Sequence, residues 1–249
     1  MFAHDTWFEP TAQHSPGSKL LALGTGNQFP VQEYPIEIRM LRHRGCLSDG
    51  RRVPLAAMAS APTALIVGVK TEGVRFLSCW AQTTAFDIEL APDKIGIYLD
   101  EIHAPASVRE TWASIQSRGL SWMERFTKHA RIEFAGDAAP GFPAPHAEPT
   151  GMGMDVILDS GLQQVRAGDP LVFQVLRDGA PLAGLAVELR GERPSDSHWQ
   201  TTDVDGRVRF RAPGRGRWLL RATDLRLSTV RADMWESRFV TLAIEVSGE

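Results

Sequence analysis

The segment Arg207-Val208-Arg209-Phe210-Arg211-Ala212 alternates strictly between charged side chains and small or apolar ones. Successive side chains of a β-strand point to opposite faces of its sheet, so Val208, Phe210 and Ala212 predict a row that faces a core. The preceding Asp203-Val204-Asp205-Gly206 predicts a tight turn whose glycine adopts a positive φ. Together these residues indicate an antiparallel sheet with one buried face.

The rest of the C-terminal part repeats this pattern. Apolar residues alternate in three further runs, and turn residues separate the runs at the spacing of short strands. The runs cover residues 171–176, 185–189 and 240–246. Because no helical periodicity interrupts them, residues 149–249 predict a Greek-key β-sandwich of the immunoglobulin-like or transthyretin-like type.

Residues 1–148 predict a second antiparallel β-sandwich with a small helical insert. Short apolar runs bounded by turn residues indicate strands near residues 19–23, 36–41, 64–69 and 74–79. Pro92 suits the first turn of a helix, and helical signals continue to about residue 118. The proline- and glycine-rich residues 136–150 form the natural linker. The predicted fold class is therefore mainly β, with two sandwiches and an insert at about 92–118.

Composition excludes several classes of function. The formal net charge of -3 gives no reason to expect a nucleic-acid partner. No window approaches the roughly 18 consecutive apolar residues that a membrane span needs. The chain contains no nucleophile elbow, phosphate loop, dinucleotide fingerprint or zinc-protease helix. The sequence thus favours a binding protein over an enzyme, and it assigns no catalytic residue.

The cysteines leave two alternatives open. Cys46 and Cys79 are the two cysteines of the chain. Two cysteines in an exported protein often pair, whereas in the cytosol they stay reduced. Pairing requires Cα atoms within about 7 Å, which a sequence cannot establish.

The N-terminal stretch His4-Asp5-Thr6-Trp7-Phe8-Glu9-Pro10 suggests a metal site. Phe2-Ala3 ahead of it looks like the end of a secretory signal whose earlier part is missing from this sequence. Cleavage after Ala3 would leave His4 with a free α-amine beside its imidazole, which is a ready metal chelate. We therefore expect a periplasmic protein, and the alternative is that Met1 is a cytosolic start.

This stretch also resembles the opening of the NikM-like family of bacterial extracytoplasmic proteins. Further matches follow in the same order along nearly the whole chain. They cover residues 91–94, 98–99, 124–130, 151–157, 177–184, 202–210, 216–222 and 235–237. Because the family is linked to nickel uptake, the resemblance implies a metal-binding accessory protein that passes its ion to a membrane transporter component.

Histidines carry the predicted metal chemistry. No two of the seven have the helical spacing that places ligands on one face, so the fold must assemble any site. With His4, the best second ligand is His129, which lies in a family-like segment just ahead of an apolar strand. His103, at the end of the first predicted helix, is the next candidate. Nitrogen ligands in tetragonal geometry suit Cu(II) or Ni(II), and zinc is a less specific fit.

Three functions are compatible with these features. The first is a periplasmic transition-metal-binding accessory protein for nickel, cobalt or copper uptake. The second is a non-catalytic envelope interaction module, in which residues 4–7 are a strand tucked into the first sheet. The third is a histidine-brace copper oxidase that acts on polysaccharide. The sequence favours the first. Absence of stoichiometric metal would favour the second, and reductant-dependent oxygen consumption would favour the third.

Overall fold

The computed structural model describes residues 5–15, 17–48, 50–135, 148–159 and 165–247, so most of the predicted linker lies outside the described residues. Strands dominate these ranges, which confirms the predicted mainly β class. The strands are β1 Asp5–Ser15, β2 Ser18–Gly26, β3 Tyr34–Pro35, β4 Leu41–Ser48, β5 Arg51–Val53, β6 Ala56–Ser60, β7 Leu65–Lys70, β8 Phe76–Thr83, β9 Phe86–Leu90, β10 Trp122–Ala135, β11 Met154–Leu158, β12 Val165–Arg166, β13 Pro170–Arg177, β14 Ala180–Pro181, β15 Ala186–Gly191, β16 Ser197–Thr201, β17 Arg207–Arg211, β18 Gly216–Leu227 and β19 Met234–Ser247.

Two helices form the predicted insert. Helix α1 spans Pro92–Glu101 and helix α2 spans Ala106–Ser117, and proline occupies the first turn of α1 as expected. One predicted strand is wrong: residues 36–41 contain a short 3-10 turn at Ile38–Met40. Ile38 is 40% exposed while Met40 packs against the core, and a local hydrogen bond from the Met40 amide to the Glu37 carbonyl replaces strand pairing.

The strands form three sheets. A five-stranded sheet has the order β1-β2-β7-β6, with β3 beside β2. A ten-stranded sheet has the order β16-β15-β18-β19-β10-β8-β4-β5, with β9 beside β10 and β12 beside β19. A four-stranded sheet has the order β11-β13-β14, with β17 beside β13. Among these pairings, β10 with β19 and β12 with β19 are parallel.

The ten-stranded sheet is the middle layer of the molecule. Along β19, Leu242 and Ile244 belong to the core shared with the four-stranded sheet, whereas Ala243 belongs to the core shared with the five-stranded sheet. Both faces are therefore covered, which explains a strand that is apolar at successive positions. This layer contains strands from residues 1–148 and strands from residues 149–249. The predicted domain boundary between residues 148 and 149 stays a prediction.

The turn and strand at residues 203–211 form as the sequence predicts. Gly206 has a φ of 70°, and the Asp203 carboxylate accepts a hydrogen bond from the Arg207 amide at 2.8 Å. Phe210 packs edge-on against Phe173 in the core, with ring centroids 6.2 Å apart. The alternation therefore positions β17 with one buried face.

Cys46 and Cys79 form a disulfide between neighbouring strands of the middle layer. Their Cα atoms are 4.0 Å apart in the register of β4 and β8. Of the two alternatives that the sequence left open, the structure therefore has the paired one. Neither described helix is long and apolar enough to cross a membrane.

Candidate functional site

His129 is a buried histidine with one free ring nitrogen. It lies on β10 and is 1% exposed. Its Nδ1 atom is 2.9 Å from the carbonyl oxygen of Phe239. A carbonyl can only accept a hydrogen bond, so Nδ1 carries the proton and donates it. The other nitrogen, Nε2, is buried and has no hydrogen-bond partner among the described residues.

The protonation state of His129 follows from this position. Burial lowers the pKa of His129 to about 4, and the bond to Phe239 opposes this shift only in part. The ring is therefore neutral near pH 7, and Nε2 presents a lone pair. A neutral imidazole with Nδ1–H bonded to a carbonyl is the form in which histidine binds a metal or accepts a hydrogen bond.

His43 lies in the same cross-strand row as His129. Gln82 of β8 pairs with His129 on one side and with His43 of β4 on the other. Directly paired residues in antiparallel strands point to the same face, so the three side chains share one face of the middle layer. His43 is half-buried, and burial is the first cause that lowers the pKa of its imidazole, followed by the charge of Arg52.

A cavity of about 500 Å³ covers this row. Its lining residues are Arg42, His43, Gln82, Thr127, His129, Gly151, Gly153, Asp178 and Arg238. The histidines therefore open onto a common space that is much larger than one ion.

Two glycines leave room in front of the imidazoles. A Cβ atom added to Gly153 would lie 3.5 Å from His129 Nε2 and 3.3 Å from Arg238 Nη1. A Cβ atom added to Gly151 would lie 4.0 Å from Cε1 of His43. Between them, Met152 is 3% exposed and clusters with Trp80 and Leu47. The backbone of residues 151–153 thus forms one wall of the cavity without filling it.

A buried ion network holds this wall against the sheet. Arg131, two residues after His129, is 0% exposed and forms ion pairs with Glu133 at 2.9 Å and Asp155 at 3.1 Å. Asp155 also accepts a hydrogen bond from the Thr150 amide at 2.7 Å. These contacts hold the chain on both sides of the loop residues 151–153.

Positive charge borders the cavity on two sides. Arg238 Nη1 donates to the Gly153 carbonyl at 2.5 Å and to Asp178 at 2.7 Å. Arg42 occupies a β-bulge, since the register of β4 and β8 shifts between Leu41 and His43. A bulge re-aims a side chain, and Arg42 lines the same cavity as its neighbour His43.

His103, a predicted metal ligand, lies far from His129. It is exposed after α1, and its ring stacks on Trp199 with centroids 3.6 Å apart. Trp199 begins a row of directly paired residues that continues through Glu188, Arg221 and Thr241 to Ala130.

This row separates the two histidines. Four strand spacings span about 19 Å. Ala130 directly follows His129, so its side chain points to the other face of the sheet. The structure therefore does not bring His103 and His129 into one site.

His4, the remaining predicted ligand, lies outside the described residues. The next residue, Asp5, is 5% exposed and forms an ion pair with Arg221 at 2.8 Å. Arg221 also pairs with Glu188 at 3.1 Å. Burial raises the pKa of Asp5, and the charge of Arg221 opposes that rise. This cluster lies on the His103 face of the middle layer, opposite His129.

Sequence reasoning missed His43 as a partner of His129. The two histidines are distant in sequence, and only the pairing of β4, β8 and β10 aligns them with Gln82. The described part of the chain contains no cluster of three or more histidine, cysteine, aspartate or glutamate residues that could hold a metal ion. His43 and His129 therefore line one cavity but lie two strand spacings apart, about 10 Å, with Gln82 between them.

Comparison with solved structures gives matches of low similarity. Native alpha-2-macroglobulin from Escherichia coli, in a structure spanning domains MG0-NIE-MG1, is 10% identical with a TM-score of 0.24, and the match covers 96% of this chain and 95% of that chain. The full ectodomain (Ig1–Ig3) of mouse nectin-like molecule 4 is 11% identical with a TM-score of 0.20, and the match covers 98% of this chain and 64% of that chain. Likeness at these TM-scores supports no inference about this chain.

Comparison with curated proteins finds no match. A family model, in contrast, matches residues 1–224, which include both cavity histidines and the 151–153 wall. The chain belongs to the family DUF4198, a domain of unknown function.

Proposed function

We propose that this protein binds a divalent transition-metal ion, nickel or copper, outside the cytoplasm and passes it to a membrane transporter component. One observation carries the proposal. His129 donates Nδ1–H to the Phe239 carbonyl, its buried Nε2 has no hydrogen-bond partner among the described residues, and the residue lines a cavity that His43 also lines. An unpartnered buried nitrogen is costly, and a bound ion would remove that cost.

The donor atoms favour a particular class of metal. Imidazole nitrogen suits nickel, copper and zinc, whereas magnesium and calcium prefer oxygen ligands. Structural zinc sites are usually closed by four protein ligands, and the described residues contain no cluster of three or more such groups. Nickel or copper in an open site is therefore the better fit.

Two further features support the location and the role. The Cys46–Cys79 disulfide is typical of proteins that fold in an oxidising compartment such as the periplasm. Two of the segments that resemble the NikM-like family, residues 124–130 and 151–157, contain His129 and the glycine wall of its cavity. A part in nickel, cobalt or copper uptake rests on that resemblance. An N-terminal chelate at His4 is kept as a separate prediction, because Asp5 lies on the opposite face.

Calorimetric titration with Ni(II) and Cu(II) tests the proposal. Wild-type protein should bind one ion per chain. His129→Asn keeps an amide N–H for the Phe239 carbonyl and removes Nε2. Loss of a group that only hydrogen-bonds to a metal ligand already lowers metal affinity about 10–100-fold. Loss of the ligand atom itself should therefore lower the affinity for the metal at least about 100-fold. His43→Asn should act in the same direction.

The exposed His198 provides the matched control. His198→Asn should leave the affinity unchanged. Equal affinity of His129→Asn and wild type would refute the cavity site, and absence of binding by the wild type would refute the function.

One observation favours the second candidate, a non-catalytic interaction module. The N-terminal strand β1 is tucked into a sheet, with Trp7 0% exposed and Asp5 held by Arg221. That arrangement needs no metal. Failure to bind any metal, with intact folding, would therefore turn attention to this candidate.

A further inference from the structure

The cavity over β4, β8 and β10 has a polar lining. It consists of two glycines and seven residues whose side chains are charged or carry an imidazole, amide or hydroxyl group. The volume of about 500 Å³ lies within the range of about 300–1,000 Å³ in which pockets hold small organic molecules. Such pockets are usually lined mainly by apolar side chains, so this lining favours a ligand that is hydrophilic over its whole surface.

Arg42 adds a positive charge to the lining that no carboxylate of the described residues neutralises. Arg238, by contrast, forms an ion pair with Asp178 at 2.7 Å. The Arg42 side chain is exposed, its β-bulge places it on the cavity, and within the described ranges it forms no ion pair. A guanidinium binds a carboxylate through two parallel hydrogen bonds, which fixes the orientation of the ligand. A single free charge matches a monocarboxylate better than a phosphate monoester, which carries about −1.5 to −2 at pH 7.

Hydrogen-bonding groups surround the same space. The Gly153 amide donates to Oε1 of Gln82 at 3.1 Å. This bond fixes the orientation of the Gln82 amide, whose NH2 group is left with no acceptor in the part of the chain that the structure describes. The Thr127 hydroxyl and the His43 imidazole also line the cavity, and neither has a hydrogen-bond partner in the same part of the chain. Groups of this kind bind hydroxyl groups, because a hydroxyl both donates and accepts a hydrogen bond.

The Arg42 end of the cavity is separate from the proposed metal ligand. Gln82 lies between His43 and His129, which are two strand spacings, or about 10 Å, apart. A ligand held by Arg42 and His43 therefore needs no contact with Nε2 of His129. Its binding requires no metal ion.

We propose that the cavity binds a small monocarboxylate with several hydroxyl groups, that is, a sugar acid. The Arg42 guanidinium binds the carboxylate through two hydrogen bonds. Gln82, Thr127 and His43 bind hydroxyl groups along the carbon chain of the ligand. Gly151 leaves space for it, since an added Cβ atom there would lie 4.0 Å from Cε1 of His43.

Calorimetric titration with gluconate tests this site on metal-free protein, prepared by treatment with EDTA and dialysis. Two six-carbon compounds are the matched ligands: sorbitol has the hydroxyl groups without the carboxylate, and hexanoate has the carboxylate without the hydroxyl groups. Wild type should bind one gluconate per chain with a Kd of about 1 mM or lower. Sorbitol and hexanoate should bind at least about tenfold more weakly, because each lacks one of the two sets of hydrogen bonds.

Substitutions locate the bound ligand. Arg42→Gln removes the charge and should lower gluconate affinity about tenfold or more. Arg44→Gln is the matched control and should bind gluconate as wild type does. Arg44 is exposed on the same strand, but it pairs with Ala81 of the core shared with the five-stranded sheet and so faces the other side. Gln82→Glu keeps an oxygen for the Gly153 amide and replaces the NH2 group by a carboxylate oxygen, so it should also lower the affinity about tenfold or more. Urea unfolding shows whether each variant is folded.

The possible failures are distinct. Equal binding of gluconate, sorbitol and hexanoate would overturn the ligand class. If Arg42→Gln keeps the gluconate affinity of wild type, Arg42 is not the anchor and the inference is overturned. Equal losses in Arg42→Gln and Arg44→Gln would mean that only the general charge of this edge attracts the anion, which also overturns it. Absence of gluconate binding by folded wild type would overturn the inference without bearing on the proposed metal function, which titration with Ni(II) and Cu(II) tests.

Discussion

His129 and Phe239 fix the chemistry of the cavity through one hydrogen bond. Nδ1 of His129 donates to the Phe239 carbonyl at 2.9 Å across the parallel pair β10 and β19. That bond decides which nitrogen carries the proton, so Nε2 keeps its lone pair. A backbone contact between two strands thus prepares a side chain to bind a ligand.

Gly153 controls access to that lone pair. In Gly153→Ala the new methyl group would lie 3.5 Å from Nε2, where a metal ion at about 2.1 Å from the nitrogen must fit. We expect affinity for Ni(II) or Cu(II) to fall at least about tenfold, with stability changed by less than about 1 kcal/mol. Gly214→Ala, at a glycine with no atom within 4 Å of the added Cβ, is the control for calorimetry and urea unfolding. Undiminished metal affinity in Gly153→Ala would place the ion elsewhere.

Asp155 stabilises the wall of the cavity. Asp155→Ala leaves Arg131 buried with one fewer partner, and breaking such a pair costs about 3–5 kcal/mol. The exposed pair of Glu37 with Arg39 provides the comparison, since Glu37→Ala should cost far less than Asp155→Ala. Urea unfolding of both variants measures the difference. Equal losses would mean that the buried network does not hold the wall.

Glu133 makes stability depend on pH. Burial raises the pKa of Glu133 to about 7 from 4.5, Arg131 lowers it and Asp155 raises it. The folded state therefore holds this proton more tightly than the unfolded state does. The stabilising contribution is complete below about pH 4.5 and is lost as pH rises through about 7.

Glu133→Gln removes this titration. Between pH 4.5 and pH 8 the stability of wild type should fall relative to Glu133→Gln by about 3 kcal/mol. Urea unfolding of both proteins across that range measures the difference. A constant difference between the two proteins would show that Glu133 titrates alike in the folded and unfolded states.

The disulfide contributes to stability mainly through the unfolded chain. Cys46 and Cys79 are 33 residues apart. Closing a loop of this length stabilises the folded state by about 2–4 kcal/mol, so Cys46→Ala with Cys79→Ala should lose about that much in urea. Thiol titration of the denatured wild type should give no free thiol before reduction and two after it. Two free thiols without reductant would contradict the pairing.

The sequence predicted the strands well where one face meets water. In β17 the arginines alternate with Val208 and Phe210, and only one arrangement of the strand buries the apolar side chains. It predicted the partners of β19 less well. Val240, Leu242 and Ile244 signal one buried face, but the second buried face carries small or polar side chains such as Ala243. A sheet shared between two cores was therefore not visible in the pattern.

The candidate site was predictable in part. His129 stood out because it precedes an apolar strand, and the structure buries it with one free nitrogen. His43 and Arg42 could not be recognised, since their place depends on the β4–β8 register and on a bulge within it. His103 was chosen from its position after a helix, whereas its stacking on Trp199 at the far edge of the sheet depends on tertiary packing.

Anomalous diffraction from crystals grown with stoichiometric Ni(II) or Cu(II) locates the metal in the protein directly. We expect one strong anomalous peak about 2.1 Å from Nε2 of His129. Absence of an ordered peak in the cavity at full metal loading would contradict this site.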